Sequence, residues 1–321
     1  MIFKRIVIIV FLLYLQFGFY HAPVDAQTEL STILAGASIG DMMITSGSGN
    51  LVYEYTRVDS LSARAQQKDQ EHIAGTAPEV KTVIRNHETI DISFSFSGMK
   101  VRCDESSYNR LPTGTSFSQD WQWAYNGEKV DILQYDGVGE NGLIIPRGSI
   151  RADYAPRINR FDPKYNGLTI LGTSTGEFLK GTFAGNTVEN LKAIRQETLD
   201  TVNCVVVSGN VVNTGDTITA WLAPGIMFRP KRIEYRSGDE LTIVNNHFKE
   251  YSGGVWFPET ISKALFYQDS KGQWVCYTKE KISVLKDFTI NIDLPASLFE
   301  VQFPVGLWVY DYRFGEKVEI K

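Results

Sequence analysis

Histidine and cysteine are scarce in this chain of 321 residues, with four of the first and three of the second. No H-E-x-x-H or C-x-x-C spacing occurs, so neither a zinc site nor a metal cofactor is expected. No phosphate-cradling glycine pattern occurs either, and no cofactor is expected. Basic runs are absent and the net charge is −5, which speaks against nucleic acid as a partner. After residue 19 there is no long apolar run, so no membrane-spanning helix is expected in the body of the chain. Strong helical periodicity is also rare, and the helix required at each crossover of a parallel sheet has nowhere to come from.

The N-terminus has the layout of an export signal. Lys4 and Arg5 precede the apolar run Ile6 to Phe19, and small residues at Val24 and Ala26 predict cleavage after Ala26. The run is about 14 residues long and interrupted by Gln16, against the roughly 20 that a spanning helix needs. Residues 1–26 therefore read as a signal peptide and 27–321 as one domain, with 60–81 a polar, Gln-rich loop. Such a protein is exported, to the periplasm where a second membrane encloses one and otherwise to the cell exterior.

Cys103, Cys204 and Cys276 are odd in number, and a domain of this size needs no disulfide framework. Cys204 in "VNCVVV" and Cys276 in "WVCYT" read as buried free thiols in strands, with one bridge among the three as the alternative.

Alternation dominates the body of the chain. In "TIDISFSFS" Ile90, Ile92, Phe94 and Phe96 point one way while Asp91, Ser93, Ser95 and Ser97 point the other. "SGMK" turns this strand into a partner. "DWQWAYNGEKVDILQYD" puts Trp121, Trp123 and Tyr125 on one face before an Asn126-Gly127 hairpin signal. "AIRQETLDTVNCVVV" reads as two strands around Leu199-Asp200, and Pro258 in "VWFPETI" marks a bulge or an edge. The closing "LFEVQFPVGLWVYDYRFG" reads as strand, Pro-Val-Gly turn, strand, with aromatics on both faces. Helical spacing is confined to "TELSTILAGASIGDMM", to a piece near "GEFLKGTF" and, weakly, to "TVENLKAIRQ".

Two stretches fit G-x-S-x-G. "GTSTG" follows "GLTIL" and precedes "EFLKGTF", the context of a nucleophile elbow. On that reading Ser174 is the nucleophile, His247 the base, and Asp200, Asp216 or Asp239 the third member. The elbow needs a parallel sheet, which the rest of the chain does not predict. A serine hydrolase is therefore the minor alternative.

Three pieces resemble the LolA/LppX superfamily of lipoprotein-carrier and lipid-binding exported proteins, especially its long bacterial members. They are the N-terminal helix leading into "SGSGNLVYEYTRV", the hairpin "ISFSFSGMKVRCDES" with "QWAYNGEKVDIL", and the tail from "GVWFPETISKALFYQDSKGQWV" through "FPVGLWVYDYRFG". Leu307 departs from the small polar residue frequent there. The resemblance implies a mainly β, α+β fold: a large antiparallel sheet curled into an unclosed half-barrel, with a few helices covering the concave face. It implies a monomeric, non-catalytic protein without cofactor. Its partner would be a lipid or lipoprotein acyl chain, passed between membrane-associated donor and acceptor proteins. The expected apolar lining is Ile92, Phe94, Phe96, Trp121, Trp123 and Tyr125, with Ile233 and Tyr235. The alternative on the same fold is a protein-interaction or regulatory module with a solid core.

Overall fold

The computed structural model describes residues 26–58, 84–110, 116–136, 145–152 and 167–321. The expected signal segment up to residue 25 and the expected polar loop 60–81 lie outside the described residues.

Period-two alternation becomes a single mixed sheet of seventeen strands that does not close into a barrel. In chain order these are β1 (Ser46–Val58), β2 (Ile84–Ser97), β3 (Lys100–Arg110), β4 (Ser116–Tyr125), β5 (Val130–Asp136), β6 (Ile145–Arg151), β7 (Thr182–Phe183), β8 (Asn186–Leu199) and β9 (Val202–Val211). They continue as β10 (Thr217–Ala223), β11 (Arg229–Ser237), β12 (Glu240–Tyr251), β13 (Val255–Gln268), β14 (Trp274–Val284), β15 (Thr289–Ile290), β16 (Trp308–Asp311) and β17 (Glu316–Glu319). Two helices, α1 (Ala26–Met42) and α2 (Thr175–Leu179), complete the described elements with two short 3-10 turns.

β1 joins the two halves. It pairs with β2 on one side and with β14 and β15 on the other. One half is the meander β2 to β6, and the other runs from β14 back through β13, β12, β11, β10 and β9 to β8. Every pair is antiparallel except β6 with β16, which is parallel. The expected antiparallel half-barrel is found, with that one parallel join at its far edge.

Turn chemistry sets the registers. Gly98 at φ 59° lets Ser97 face Lys100 across a two-residue turn. Asn126 Oδ1 accepts the N–H groups of Glu128 and Lys129, closing the predicted β4–β5 hairpin. Pro258 faces Phe248 where the β12–β13 register shifts, as its missing donor requires.

Two expectations are corrected. "TVENLKAIRQ" is strand, not helix: it lies within β8, bulged at Glu189/Lys192 and Ala193/Arg195 against β9. Pairing with a neighbouring strand outweighs the helix propensity of its Glu, Leu, Lys and Ala. The closing hairpin joins Trp308–Asp311 to Glu316–Glu319, and Leu298–Phe303 forms no strand with it. That stretch is a strap across the outer face, where Val301, Phe303 and Leu307 pack on Ala124, Leu133 and Tyr135. Arg102 Nη1 holds it by donating to the carbonyls of Leu298 and Glu300 at 3.3 and 3.0 Å. Strands with greasy residues on both sides thus meet the core on one and the strap on the other.

Helix α1 lies against the opposite face. Ile33 and Ala37 are buried in the main core, with Leu30 and Leu34 packed beside them. Gly36 allows the approach, since a Cβ there would stand 2.4 Å from the Phe228 ring. The helix has no basic residue in its last turn. Arg229 of β11 supplies the cation instead, donating to the Gly40 carbonyl at 2.8 Å and to Asp41 at 2.5 Å. None of the described helices is long and apolar enough to cross a membrane.

Candidate functional site

Register places one face of the sheet on one continuous surface. On β2, Ile92, Phe94 and Phe96 stand opposite Glu105, Cys103 and Val101 of β3. Those three stand opposite Trp121, Trp123 and Tyr125 of β4. Six of the eight predicted lining residues therefore share one neighbourhood, with β3 between them. Ile92, Phe94, Phe96 and Trp123 are at most 2% exposed, while Trp121 and Tyr125 are half-buried.

Ile233 and Tyr235 belong to the same face but to another place. The rows Tyr55–Glu280, Glu280–Lys263, Lys263–Val244 and Val244–Ile233 run unbroken across it. Six strands separate β11 from β4. Ile233 is buried. Tyr235 packs on Phe183 at 5.5 Å between ring centroids, and its hydroxyl donates to Asp216 at 2.5 Å. Burial first, then the Asp216 carboxylate, push the Tyr235 hydroxyl up to about 12. Burial would raise Asp216, but hydrogen bonds from Tyr235, Thr214 and Ser237 outweigh it and hold the carboxyl below its ordinary value. This is a fixed polar anchor within an apolar face.

The concave surface is not uniformly apolar. Lys263 and Glu280 form an ion pair at 3.1 Å between Val244 and Tyr55. Glu105 lies beneath Trp123 and accepts its indole N–H at 3.3 Å.

Sequence reasoning missed what fills the space over β1 and β2. Phe288, from the turn after β14, stacks on Phe94 at 5.4 Å and on Phe257 at 4.5 Å, while Tyr251 meets it edge-on at 5.2 Å. Phe96 stacks on Phe257 at 6.2 Å. The alternate glycines of "SGSG" were the available signal. A Cβ on Gly49 would stand 2.6 Å from the Phe288 Cα, and one on Gly47 2.7 Å from the Phe96 ring. Glycine there lets the plug lie directly on the strand.

The outer face of the same strands is polar. A groove of about 660 Å3 beside it is lined by Asn50, Asp91, Ser93, Asp104, Asp120 and Gln122 together with Leu51, Ile92, Trp121 and Leu285. The second apolar cluster on that side, around Cys204, Val206 and Trp221, is small. Arg195 and Arg232 lie over the Trp221 ring at 5.8 and 5.4 Å, and its indole N–H is taken by Glu197 at 3.1 Å. Cys103 and Cys204 are buried and Cys276 half-buried, all three as free thiols.

Ser174 is not presented as a nucleophile. It caps α2: its Oγ accepts the Glu177 N–H at 3.1 Å, and Glu177 Oε2 accepts from the Ser174 hydroxyl and N–H at 2.9 and 3.2 Å. The G-x-S-x-G pattern here spells a capping box. The segment before it makes one antiparallel bridge, Ile170 to Thr173, and among the described residues no parallel sheet lies beneath it. His247 is exposed on β12. The other match, Gly36 to Gly40, lies inside α1, where the Ser38 hydroxyl donates to the Leu34 carbonyl. No group of three or more His, Cys, Asp or Glu among the described residues is placed to hold a metal ion.

No family model and no curated protein matches this chain. Among solved structures it is similar to a DUF1329 family protein from Desulfovibrio piger, with 10% identity and a TM-score of 0.39 over 84% of this chain and 97% of that one. It is similar to a LolA superfamily protein from Nitrosomonas europaea, with 13% identity and a TM-score of 0.37 over 87% and 99%. It is also similar to MucB in a complex with MucA(peri), with 8% identity and a TM-score of 0.19 over 83% and 100%. No family, activity or partner passes from these likenesses to this chain.

Proposed function

We propose that this protein is exported and non-catalytic, and that it holds a lipophilic ligand, an acyl chain or lipidated partner, against the concave face of its sheet. The observation that carries the reading is the mainly apolar face, interrupted only locally by the Lys263–Glu280 pair and Glu105. It extends over both halves of an open sheet, with α1 packed as a separate layer beside β8 and Phe228. Trp121, Tyr125 and Tyr235 are among its half-buried members. They offer apolar surface that the protein's own core leaves partly uncovered.

The mechanism is burial without covalent chemistry. Each buried methylene contributes about 0.8 kcal/mol, so a twelve-carbon chain gains roughly 8–10 kcal/mol before ordering costs. Release follows when a membrane-associated acceptor offers a deeper apolar site. Solvent extraction of the purified protein followed by mass spectrometry is expected to find lipid, and the emptied protein is expected to take up a fluorescent fatty acid. Failure of both in repeated preparations would remove the reading.

A second reading has an observation of its own. The stack around Phe288 is packed ring on ring, and a core filled in that way along its whole length would make the fold an interaction module. Uptake of the acyl probe separates the two.

A further inference from the structure

The concave face does not end at β5. Ile132 stands opposite Ser149, Ser149 opposite Tyr310, and Tyr310 opposite Lys317. Ile132 is buried, but Tyr310 is 36% exposed and Trp308, on the same side of β16, 59%. Tyr312 follows at 56% and Phe314, at the hairpin bend, at 71%. Val309 and Asp311 on the other side of that strand are 0% and 3% exposed. The strand turns its valine and carboxylate to the protein and its rings to solvent, forming an aromatic lip on the rim of the concave face.

The rings are held in place. Tyr310 and Tyr312 meet edge-on at 4.5 Å, the Tyr310 hydroxyl donates to the Gly315 carbonyl, and the Tyr312 N–H donates to the Ile150 carbonyl at 2.9 Å. Cations share this side. The Arg151 guanidinium lies 4.9 Å from the Tyr312 ring centroid, and its Nε is buried without a hydrogen-bond partner. Arg147 and Lys317 fall on the same face of β6 and β17. Among the described residues of these three strands, Glu319 is the one carboxylate on that face. The chain carries −5 overall, so the lip is locally basic on an acidic protein.

We propose that this lip docks on a membrane surface bearing anionic phospholipid. Trp and Tyr suit that layer, since their rings take apolar surroundings while the indole N–H and phenol O–H stay hydrated. The charges of Arg151 and Lys317 meet the phosphates. Main-chain pairing with a second copy fits less well. Strand β17, paired among the described residues with β16 alone, is four residues long, with charge at Glu316, Lys317 and Glu319, a pattern that resists strand addition. The inference does not depend on a loaded interior.

The test is flotation of the purified protein in its exported form with vesicles of phosphatidylcholine alone or with added phosphatidylglycerol. Co-flotation is expected with the anionic vesicles only, weakening as salt rises. Arg151→Gln or Lys317→Gln should each weaken it roughly fivefold, and the triple change Trp308→Ser, Tyr310→Ser, Phe314→Ser should abolish it. Thermal midpoints confirm that the variants fold. No flotation by the wild type, flotation of the triple variant equal to wild type, or a dimer that buries Trp308 would overturn the proposal. Uptake of the acyl probe from solution, read on the same variants, is expected to be unchanged. Its absence together with intact flotation would count against the interior ligand alone.

Discussion

Phe288 stacks on Phe257 with ring centroids 4.5 Å apart and planes 30° apart, although Phe288 comes from a turn and Phe257 from a strand. The contact ties the segment after β14 to the middle of the concave face, over a strand that offers only glycine beneath it.

Truncating Phe288 to alanine should therefore cost about 3–5 kcal/mol, read from denaturant unfolding. Phe94→Ala should couple to it by about 0.5–3 kcal/mol in a double-mutant cycle, because the two rings share one stack. Strict additivity would mean that the stack is not a unit.

The thiols should be inert in the native protein. Burial pushes Cys204 up to about 11, and burial also raises Cys276. Reaction with a chromogenic disulfide near neutral pH should be slow, with half-buried Cys276 first, and all three should react at once in denaturant. Fast native labelling of Cys204 would show that the cluster around Trp221 opens.

The C-terminal hairpin should loosen in acid. Hydrogen bonds from Arg313 hold the Asp311 carboxyl below its ordinary range. A carboxyl depressed in the folded state stabilises above its unfolded value of roughly 3.9, and that contribution is lost as pH falls through the folded value. Amide exchange in 308–319 should thus accelerate relative to the meander below about pH 4. Asp311→Asn should show fast exchange already at neutral pH and little further change in acid. A variant with the wild-type profile would remove Asp311 as the cause.

Ser174→Ala should cost about 1 kcal/mol through loss of the α2 cap, and neither form should react with a fluorophosphonate probe. Labelling that disappears in the variant would restore the hydrolase reading.

Alternation was legible because side-chain direction in a strand repeats every two residues: Ile92, Phe94 and Phe96 announced their shared face without any partner. The Asn126 and Gly98 turns were legible for a similar reason, being settled within four residues. β8 was not, because its residues serve a helix as well and only pairing with β9 decides between the two. The strap was not, because Val301 and Phe303 alternate as a strand would and only Ala124 and Leu133 across the sheet give them another use.

The amino-acid sequence alone determined a β protein of successive hairpins with one apolar face, since turn chemistry and period-two patterning act over a few residues. The tertiary structure decided what each face meets: Phe288 over β1, α1 fastened by Arg229, the strap held by Arg102, and solvent at Trp308 and Tyr310. Those contacts join residues about 190 to 240 positions apart. Burial is set by which surfaces meet across that distance, and no local pattern carries that information.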